Sequence, residues 1–207
     1  MKLYSNPISP NGKRVCILAA ELGAPVETAN LDFARGENRA PDYLALNPMG
    51  KIPTAVDGDL VLWESAAILC YVAQTSERGA SVFPREPKAQ ADVLRWLFWC
   101  SCHVDPYFTS LVVERFIKAR RGLPIDEAVC ASAEQWLARF IPVLEQQLAG
   151  RDYVTGAFSV ADIALGCTLE MAPIVKYDLS PFPNVGGWLE RLRSRESWRA
   201  SSAPSDQ

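Results

Sequence analysis

The stretch NPMGKIPTAVDGDLVLWESAAILCYVA, from Asn47 to Ala73, predicts a β-hairpin followed by a helix. Two short apolar runs flank the dipeptide Asp57-Gly58, which is a strong signal for a two-residue hairpin turn. A helical segment follows from Glu64 to Gln74, and an acidic and a hydroxyl residue occupy its first turn, as helix starts favour. Short strands that lead directly into a helix indicate a domain of mixed α/β structure.

The residues before this stretch alternate between strand and helix patterns. The segment KLY predicts a first strand, and PVETANLD and APDYLALN predict a second strand and a short helix. Between the two strands, apolar residues recur at the spacing of an amphipathic helix, at Val15, Leu18, Ala19 and Leu22. Gly23 suits the C-cap of that helix. Residues 1–78 therefore predict a domain with the element order βαβαββα.

The rest of the chain has helical periodicity. Residues 79–88, which are rich in turn formers and charges, predict a linker, and residues 89–207 predict a second, all-helical domain. The C-terminal tail SSAPSDQ is expected to be loose. The expected helices cover 89–121, with a bend near Pro106, and then 125–149, 159–175 and 184–195.

Composition and charge exclude several classes of protein. Of the 207 residues, 49% are apolar and 22% are charged, and the net charge of −3 argues against nucleic acid as the main partner. There is no apolar signal region and no stretch of about 18 uncharged apolar residues, so neither secretion nor a membrane span is expected. Six scattered cysteines without a C-x-x-C pair fit reduced thiols in the cytoplasm, and the single histidine, His103, excludes a multi-histidine metal site.

Pro53 follows Ile52 and precedes the first strand of the hairpin. Position alone does not decide whether the bond between them is cis or trans, because cis bonds are uncommon even before proline. A cis bond would leave the N–H and C=O of Ile52 unpaired and facing outward, so that an extended peptide could add to this edge as a strand. A trans bond would make Pro53 an ordinary proline that opens an edge strand. Both alternatives remain open on the sequence.

Glu64 and Ser65 lie in the first turn of the helix after the hairpin. Acidic and hydroxyl residues are preferred there because they cap free N–H groups and interact with the helix dipole. The same N–H groups can bind a carboxylate, with Ser65 as an additional hydroxyl donor, while Glu64 can pair with an ammonium group. An α-amino acid head, which carries both charges, would satisfy both residues at once, but capping alone also explains them.

The chain resembles the cytosolic glutathione S-transferases over nearly its whole length. The resemblance rests on NPMGKIP before the hairpin, ESAAI after it, and SVADI at Ser159 to Ile163 in the helical half. It implies a thioredoxin-like N-terminal α/β domain (βαβαββα) and an all-α C-terminal helical domain. SVADI matches the capping box of the family's helical domain, in which Ser159 and Asp162 satisfy each other's backbone N–H groups.

The resemblance also implies where glutathione binds as co-substrate. In this family the proline that matches Pro53 is cis, and the residue that matches Ile52 pairs through its backbone with the cysteinyl part of glutathione. The γ-glutamyl head lies on the pair that matches Glu64 and Ser65. Polar or basic residues hold the glycine carboxylate, although such residues also fit a solvated surface; the candidates here are Asn38, Arg39 and Lys51.

The stretch SPNGKRV, Ser9 to Val15, follows the first strand, where the family activates the glutathione thiol. By itself it is also an ordinary strand-to-helix turn. Tyr4 lies too early for the family's tyrosine role, and Cys16 falls within the helix. The stretch is similar to that of theta-like and phi-like members of the serine type, and to the TPNG run of bacterial nu-like members. This likeness implies Ser9 as the thiol-activating residue and Asn11 as a second contact to the sulfur.

The implied reaction uses the glutathione thiolate as nucleophile and requires no metal. A free cysteine thiol has a pKa of about 8.5, so a hydroxyl donor from Ser9 and the positive end of the first helix would both favour the anion. The thiolate would then attack a small apolar electrophile, as in detoxification. The electrophile is expected between the domains, with Tyr107 and Phe108 as candidate acceptor contacts, although the helical stripe that contains Tyr107 also fits core packing.

Two other functions remain open on the sequence. The SPNG run also fits glutathione-dependent disulfide or peroxide reduction, in which the site would hold two glutathiones instead of one. A noncatalytic binding module of the same fold is disfavoured, because Ser9, Glu64 and Ser65 are all present. Family members are usually dimers with two-fold symmetry, so a homodimer is expected.

Overall fold

The computed structural model describes residues 1–201 and divides them into two compact units. The sheet unit contains residues 1–83 together with the C-terminal segment that begins at Glu196, and the helical unit contains residues 84–195. The expected linker, 79–88, therefore falls partly in the sheet unit, where Val82 and Phe83 are buried. Residues 202–207 of the tail that is expected to be loose lie outside the described part of the chain.

A sheet of four short strands forms the centre of the sheet unit. The strands are β1 (Lys2–Ser5), β2 (Glu27–Asn30), β3 (Thr54–Asp57) and β4 (Leu60–Trp63), and their order in the sheet is β2-β1-β3-β4. β1 pairs parallel with β2 and antiparallel with β3, so that Leu3 lies opposite Thr28 on one side and Ala55 on the other. Leu3 and Ala55 are both buried, and this row of the sheet contributes to the core.

Three helices complete the predicted pattern of the sheet unit. They are α1 (Pro10–Leu22), α2 (Pro41–Leu46) and α3 (Ser65–Thr75), and a 3₁₀ turn at Glu37–Arg39 precedes α2. The element order is βαβαββα, and the predicted thioredoxin-like α/β domain is confirmed.

The hairpin turn lies one residue later than the sequence predicts. Asp57 still pairs with Leu60 in the ladder, so the two turn residues are Gly58 and Asp59. Gly58 has a φ of +61°, a conformation that glycine adopts without the steric cost of a Cβ atom. The order of strand, turn and strand is as predicted, and the pairing of Asp57 with Leu60 sets the register.

Gly12 allows α1 to pack closely against β1. A Cβ atom at this position would lie 1.8 Å from Oγ of Ser5, which is buried at the end of β1. Three apolar residues of the predicted helical face, Val15, Leu18 and Leu22, are buried as well. The first turn of α1 is therefore held beside the end of β1.

The helical unit is built from helices, as predicted. They are α4 (Pro87–Trp99), α5 (Asp105–Leu111), α6 (Glu127–Gln147), α7 (Val160–Leu169) and α8 (Pro183–Arg193). The segment predicted as one helix over 89–121 contains two π-helical stretches, Cys100–Val104 and Val112–Lys118. Pro106 has no N–H to donate to the preceding turn, which accounts for the wider turn ahead of α5. No helix within residues 1–201 combines the length and apolar character needed to cross a lipid bilayer.

The capping box predicted at the start of α7 is confirmed. The N–H of Ser159 donates to Oδ2 of Asp162 at 2.9 Å, while Oδ1 accepts from the N–H of Val154 and from Nε1 of Trp188, both at 2.9 Å. Asp162 is fully buried. Burial raises the pKa of its carboxyl group, and the hydrogen bonds that it accepts oppose this shift.

A last helix, α9 (Glu196–Ala200), is absent from the sequence prediction and belongs to the sheet unit. Oγ of Ser197 donates to Oε2 of Glu21 at 2.6 Å, and the ammonium group of Lys13 lies 5.5 Å from the ring centroid of Trp198. Trp198 is buried. The helix is too short to show a repeated apolar pattern, so its packing against α1 is visible only in the folded unit.

Candidate functional site

Ser9 is the N-cap of α1. Its backbone is extended, and its Oγ accepts the N–H of Gly12 at 3.2 Å. A hydroxyl oxygen that accepts at a cap keeps its own hydrogen as a donor, so Ser9 can still donate to an anion beside the helix end. The dipole of α1 favours negative charge at the same place. This geometry fits the thiol-activating role, which stays a prediction.

Asn11, in the first turn of α1, is linked to the start of α3. Oγ of Ser65 donates to Oδ1 of Asn11 over a long 3.4 Å, and the same oxygen accepts from Nη1 of Arg14 at 3.0 Å. Arg14 is 2% exposed and Ser65 is 8% exposed. The hydroxyl group of Ser65, which is predicted to hold the glutamyl head, therefore contacts Asn11, which is predicted to contact the sulfur.

Glu64 precedes α3 with a backbone φ of +73° and a ψ of 112°. Such a conformation costs about 1–3 kcal/mol for a residue with a Cβ atom. The side chain is exposed and makes no capping hydrogen bond to α3, so the capping alternative for Glu64 is wrong. Within residues 1–201 the carboxylate has no hydrogen-bond or ion-pair partner, and no internal contact explains an acidic residue at this strained position.

The Ile52–Pro53 peptide bond is cis, as the resemblance implied. β3 begins at Thr54, so the backbone of Ile52 lies outside the ladder, and within the described chain its N–H and C=O have no hydrogen-bond partner. β3 lies between β1 and β4, and the alternative of a trans proline that opens an edge strand is therefore wrong. An unpaired donor and acceptor on one residue allow an extended peptide to align with it.

The loop before Pro53 is held through its backbone. The carbonyl of Lys51 accepts from the hydroxyl of Tyr43 and from Nδ2 of Asn47, the latter at 2.8 Å. Asn47 and Thr54 are buried, and Nδ2 of Asn47 also donates to Oγ1 of Thr54 at 3.0 Å. The Lys51 side chain itself is exposed, so the loop is fixed while the ammonium group stays accessible to an anion.

The other two candidates for the glycine carboxylate, Asn38 and Arg39, lie in the 3₁₀ turn before α2. Nδ2 of Asn38 donates to the carbonyl of Gly50 at 2.8 Å, so this amide group holds the turn against the loop. Gly50 has a φ of +60°, and a Cβ atom there would lie 2.9 Å from the carbonyl oxygen of Asn38 and 3.1 Å from Nη1 of Arg39. The turn and the loop are in close contact, and the two basic candidates, Arg39 and Lys51, are both exposed.

The cysteines of the sheet unit are unsuited to act as nucleophiles. Burial raises the pKa of the Cys16 thiol above its ordinary value and raises that of Cys70 to about 11. All six cysteines of the chain are free thiols. The raised pKa values agree with the exclusion of Cys16 from thiol activation, because the thiolate is the reactive form.

The two candidate acceptor contacts are neighbours in α5 with different surroundings. The ring of Tyr107 is half-buried and stacks on Trp136 of α6, with ring centroids 5.8 Å apart. Phe108 is 2% exposed, and its ring packs edge-on against Tyr177 at 5.5 Å. Phe108 presents almost no surface in this structure, and its role as an acceptor contact stays a prediction. Tyr107 remains a candidate.

Arg14 belongs to this site although no sequence motif singled it out. Leu18 and Leu22 stand four and eight residues after Arg14, and both are buried. Residues at this spacing lie on one face of a helix, so an arginine at the head of an apolar row was the available signal. Tyr43 and Asn47 lie in segments that the sequence pattern identified, but their contacts with the loop depend on folding.

Comparison with known proteins decides the family. The family model for the N-terminal domain of glutathione S-transferases matches residues 1–74, and the model for their C-terminal domain matches residues 100–196. The chain belongs to the glutathione S-transferase family. The predicted membership is confirmed, and the N-terminal match contains Ser9, the Ile52–Pro53 bond and the start of α3.

Relatives in the glutathione S-transferase family match this chain over nearly its full length. Glutathione S-transferase F10 of Arabidopsis thaliana is 32% identical, covering 95% of this chain and 94% of the relative. Glutathione S-transferase 3 of Zea mays is 34% identical, covering 98% and 93%. The solved structure of a glutathione transferase from Phanerochaete chrysosporium in complex with oxidised glutathione is 26% identical, with a TM-score of 0.88, covering 97% of this chain and 93% of that one.

Proposed function

We propose that this member of the glutathione S-transferase family is a glutathione transferase, which binds glutathione on the sheet unit and presents its sulfur as a thiolate to an apolar electrophile. The start of α3 carries the proposal. Glu64 has a positive φ, and its exposed carboxylate makes no capping hydrogen bond to α3. The buried hydroxyl group of Ser65 lies next to it in the chain. Backbone strain of this kind concentrates at functional sites. A free carboxylate beside free helix N–H groups recognises the paired ammonium and carboxylate of the γ-glutamyl head.

The backbone of Ile52 extends this site toward the rest of glutathione. Its N–H and C=O lie just ahead of β3 and have no hydrogen-bond partner within residues 1–201, so they suit the two main-chain hydrogen bonds that the cysteinyl residue can form. Lys51 adds an exposed ammonium group for the glycine carboxylate, and Arg39 lies in the adjacent turn with Asn38. These groups recognise each part of the tripeptide separately, which supports glutathione over a free amino acid as the ligand.

Ser9 activates the thiol in this proposal. Its hydroxyl donates to the sulfur, the positive end of α1 lies at the same position, and Asn11 provides a second polar contact in the same turn. These groups favour the anion, so the thiolate fraction at neutral pH rises above that of a free thiol. With an aryl halide, the sulfur bonds to the ring carbon, the halide leaves with its bonding electron pair, and the thiol proton passes to solvent.

The acceptor contact and the assembly state complete the proposal. Tyr107 and Trp136 form a stacked, partly exposed pair that suits an aromatic electrophile. We expect a homodimer, because β4 is an edge strand and its Val61 and Trp63 side chains are 38% and 40% exposed. Free thiols throughout the chain fit a protein of the cytoplasm, where thiols are kept reduced.

Calorimetric titration with reduced glutathione, combined with turnover of an aryl halide, tests the proposal. We expect saturable binding at or below millimolar glutathione and conjugate formation that follows it. Glu64→Ala should weaken glutathione binding about tenfold, while Glu77→Ala, which changes an exposed glutamate just beyond α3, is the matched control. Failure of the wild-type protein to take up reduced or oxidised glutathione would contradict the proposal. Reduction of peroxides or mixed disulfides faster than conjugation would assign the site to the reductase alternative.

A further inference from the structure

The contact between Arg14 and Ser65 determines where the hydroxyl group of Ser65 can donate. A guanidinium group carries only N–H donors, so the 3.0 Å bond from Arg14 must end on a lone pair of the Ser65 oxygen. The single hydroxyl hydrogen is then directed away from Arg14, and in this structure it reaches Oδ1 of Asn11 at 3.4 Å. That bond is long, and it is therefore easily exchanged for a better one.

Arg14 is well suited to hold one orientation of this hydroxyl. Arg14 lies in α1, and its side chain is almost completely buried. Ser65 is the first residue of α3 and keeps a small exposed fraction. A hydrogen bond from a charged donor is about twice as strong as a neutral one, and it gains further strength in a buried place. The bond also ties the helix that begins after Ser9 to the helix that begins at Ser65.

We propose that Arg14 is a positioning residue for glutathione binding, and this inference rests on the proposed function. Arg14 keeps the Ser65 hydroxyl as a donor, and its hydrogen passes from Oδ1 of Asn11 to the carboxylate of the glutamyl head when glutathione binds. One hydrogen bond replaces another, and the amide group of Asn11 is released to turn toward the sulfur. Occupation of the glutamyl subsite is thereby coupled to the polar contact at the thiol.

A double-mutant cycle on glutathione affinity tests this inference. The proteins are wild type, Arg14→Met, Ser65→Ala and the double variant, each checked for folding by thermal melting and titrated with glutathione by calorimetry. Arg14→Met should weaken binding about tenfold or more in the wild-type background, but less than about twofold when residue 65 is already alanine. Arg14→Lys, which keeps a cationic donor, should recover part of the affinity. If Arg14→Met does not fold, a cycle of Arg14→Lys with Ser65→Ala tests the same coupling.

Lys13→Met is the matched control, because it removes a neighbouring cation of α1, whose ammonium group lies over the ring of Trp198. It should change the affinity less than about twofold.

Coupling through Asn11 also predicts that Arg14→Met raises the apparent pKa in the pH profile of turnover, which loss of packing alone would not do. An equal loss of affinity with and without Ser65, or no loss in a folded Arg14 variant, overturns the inference and leaves the proposed function intact. Failure of wild type and Lys13→Met to bind glutathione overturns the proposed function, and the inference with it.

Discussion

The start of α3 and the start of α7 carry the same kinds of residue and use them in opposite ways. At α7, both carboxylate oxygens of Asp162 accept hydrogen bonds, one of them from the N–H of Ser159. At α3, Glu64 makes no capping bond, and Ser65 donates only over 3.4 Å to Asn11. A helix end whose polar groups are satisfied internally stabilises the fold, whereas an end that is left unsatisfied keeps its capacity to bind a ligand.

The two helix starts differ first in backbone conformation. Ser159 is extended, as an N-cap must be for its backbone and side chain to close on the first turn, and Asp162 follows at the third helical position. Glu64 has a positive φ, and its side chain does not close on α3. An acidic residue and a serine at a helix start are thus structural where the backbone lets them cap, and available for recognition where it does not.

Removal of the buried carboxylate at α7 is expected to give the largest effect on the protein. In Asp162→Ala four hydrogen-bond donors lose a buried acceptor, so the free energy of unfolding in urea should fall by about 3–5 kcal/mol. The affinity of the remaining folded protein for glutathione should stay unchanged, because these contacts lie within the helical unit. Asp178→Ala, which removes an exposed carboxylate that accepts from Ser180, is the control and should have a much smaller effect. If Asp162→Ala lost affinity for glutathione without losing stability, the start of α7 would have a role in binding, and the proposed difference between the two helix starts would be wrong.

Loss of the hydroxyl group at α1 tests the catalytic side of the comparison. Ser9→Ala should lower turnover about 100-fold while the Kd for glutathione changes less than about threefold, because the hydroxyl stabilises the thiolate and not the bound peptide. The apparent pKa of the bound thiol should rise, so the loss of activity is greater at neutral pH than at alkaline pH. Ser9→Thr keeps both the hydroxyl and the cap and should retain most activity; unchanged turnover in Ser9→Ala would remove Ser9 from the mechanism.

Two substitutions at Glu64 separate backbone strain from charge. Glu64→Gly relieves the positive φ and should raise the free energy of unfolding by about 1 kcal/mol, while glutathione affinity falls about tenfold. Glu64→Gln keeps the strained backbone and removes the charge, so affinity should fall with little change in stability. Chemical denaturation and calorimetry on the same samples measure both quantities. A stability loss in Glu64→Gly would mean that this helix start is structural, like that of α7.

Removal of the exposed ammonium group near Pro53 is expected to give the smallest effect. Lys51→Ala should raise the KM for glutathione about two- to fivefold, and the difference should shrink as salt is added, because contacts between exposed charges are screened. Steady-state kinetics at low and high ionic strength measure this. Lys88→Ala, an exposed lysine in α4, serves as the control. An effect of Lys51→Ala that does not depend on salt would assign the lysine a role in the loop instead.

Features that depend on residues close together in the sequence could be predicted from it. The βαβαββα order, the face of α1 and the capping box of α7 all follow from short-range patterns, and the structure confirms them. The observed hairpin turn lies one residue later than the predicted one, because Asp57-Gly58 and Gly58-Asp59 both fit a two-residue turn. The pairing of β3 with β4, in which Asp57 lies opposite Leu60, selects Gly58-Asp59.

Features that depend on packing could not be predicted from the sequence. Tyr107 and Phe108 are adjacent, both aromatic and both plausible acceptor contacts, yet only Phe108 is buried. Adjacent helical residues face directions about 100° apart, so the packing of the neighbouring helices selects which ring enters the core. The docking of α9 on α1 through Ser197 and Trp198 escaped prediction for the same reason.

The sequence by itself determined the order of elements, the family and the residue types at each helix start, because all of these are carried by local periodicity and short motifs. Only the tertiary structure decided that the start of α3 is left without a capping bond from Glu64, and that Arg14 reaches Ser65 across 51 positions of the chain. The physical reason is that the positive φ of Glu64 and the hydrogen bonds between distant segments follow from how helices and strands pack, which these local patterns do not encode.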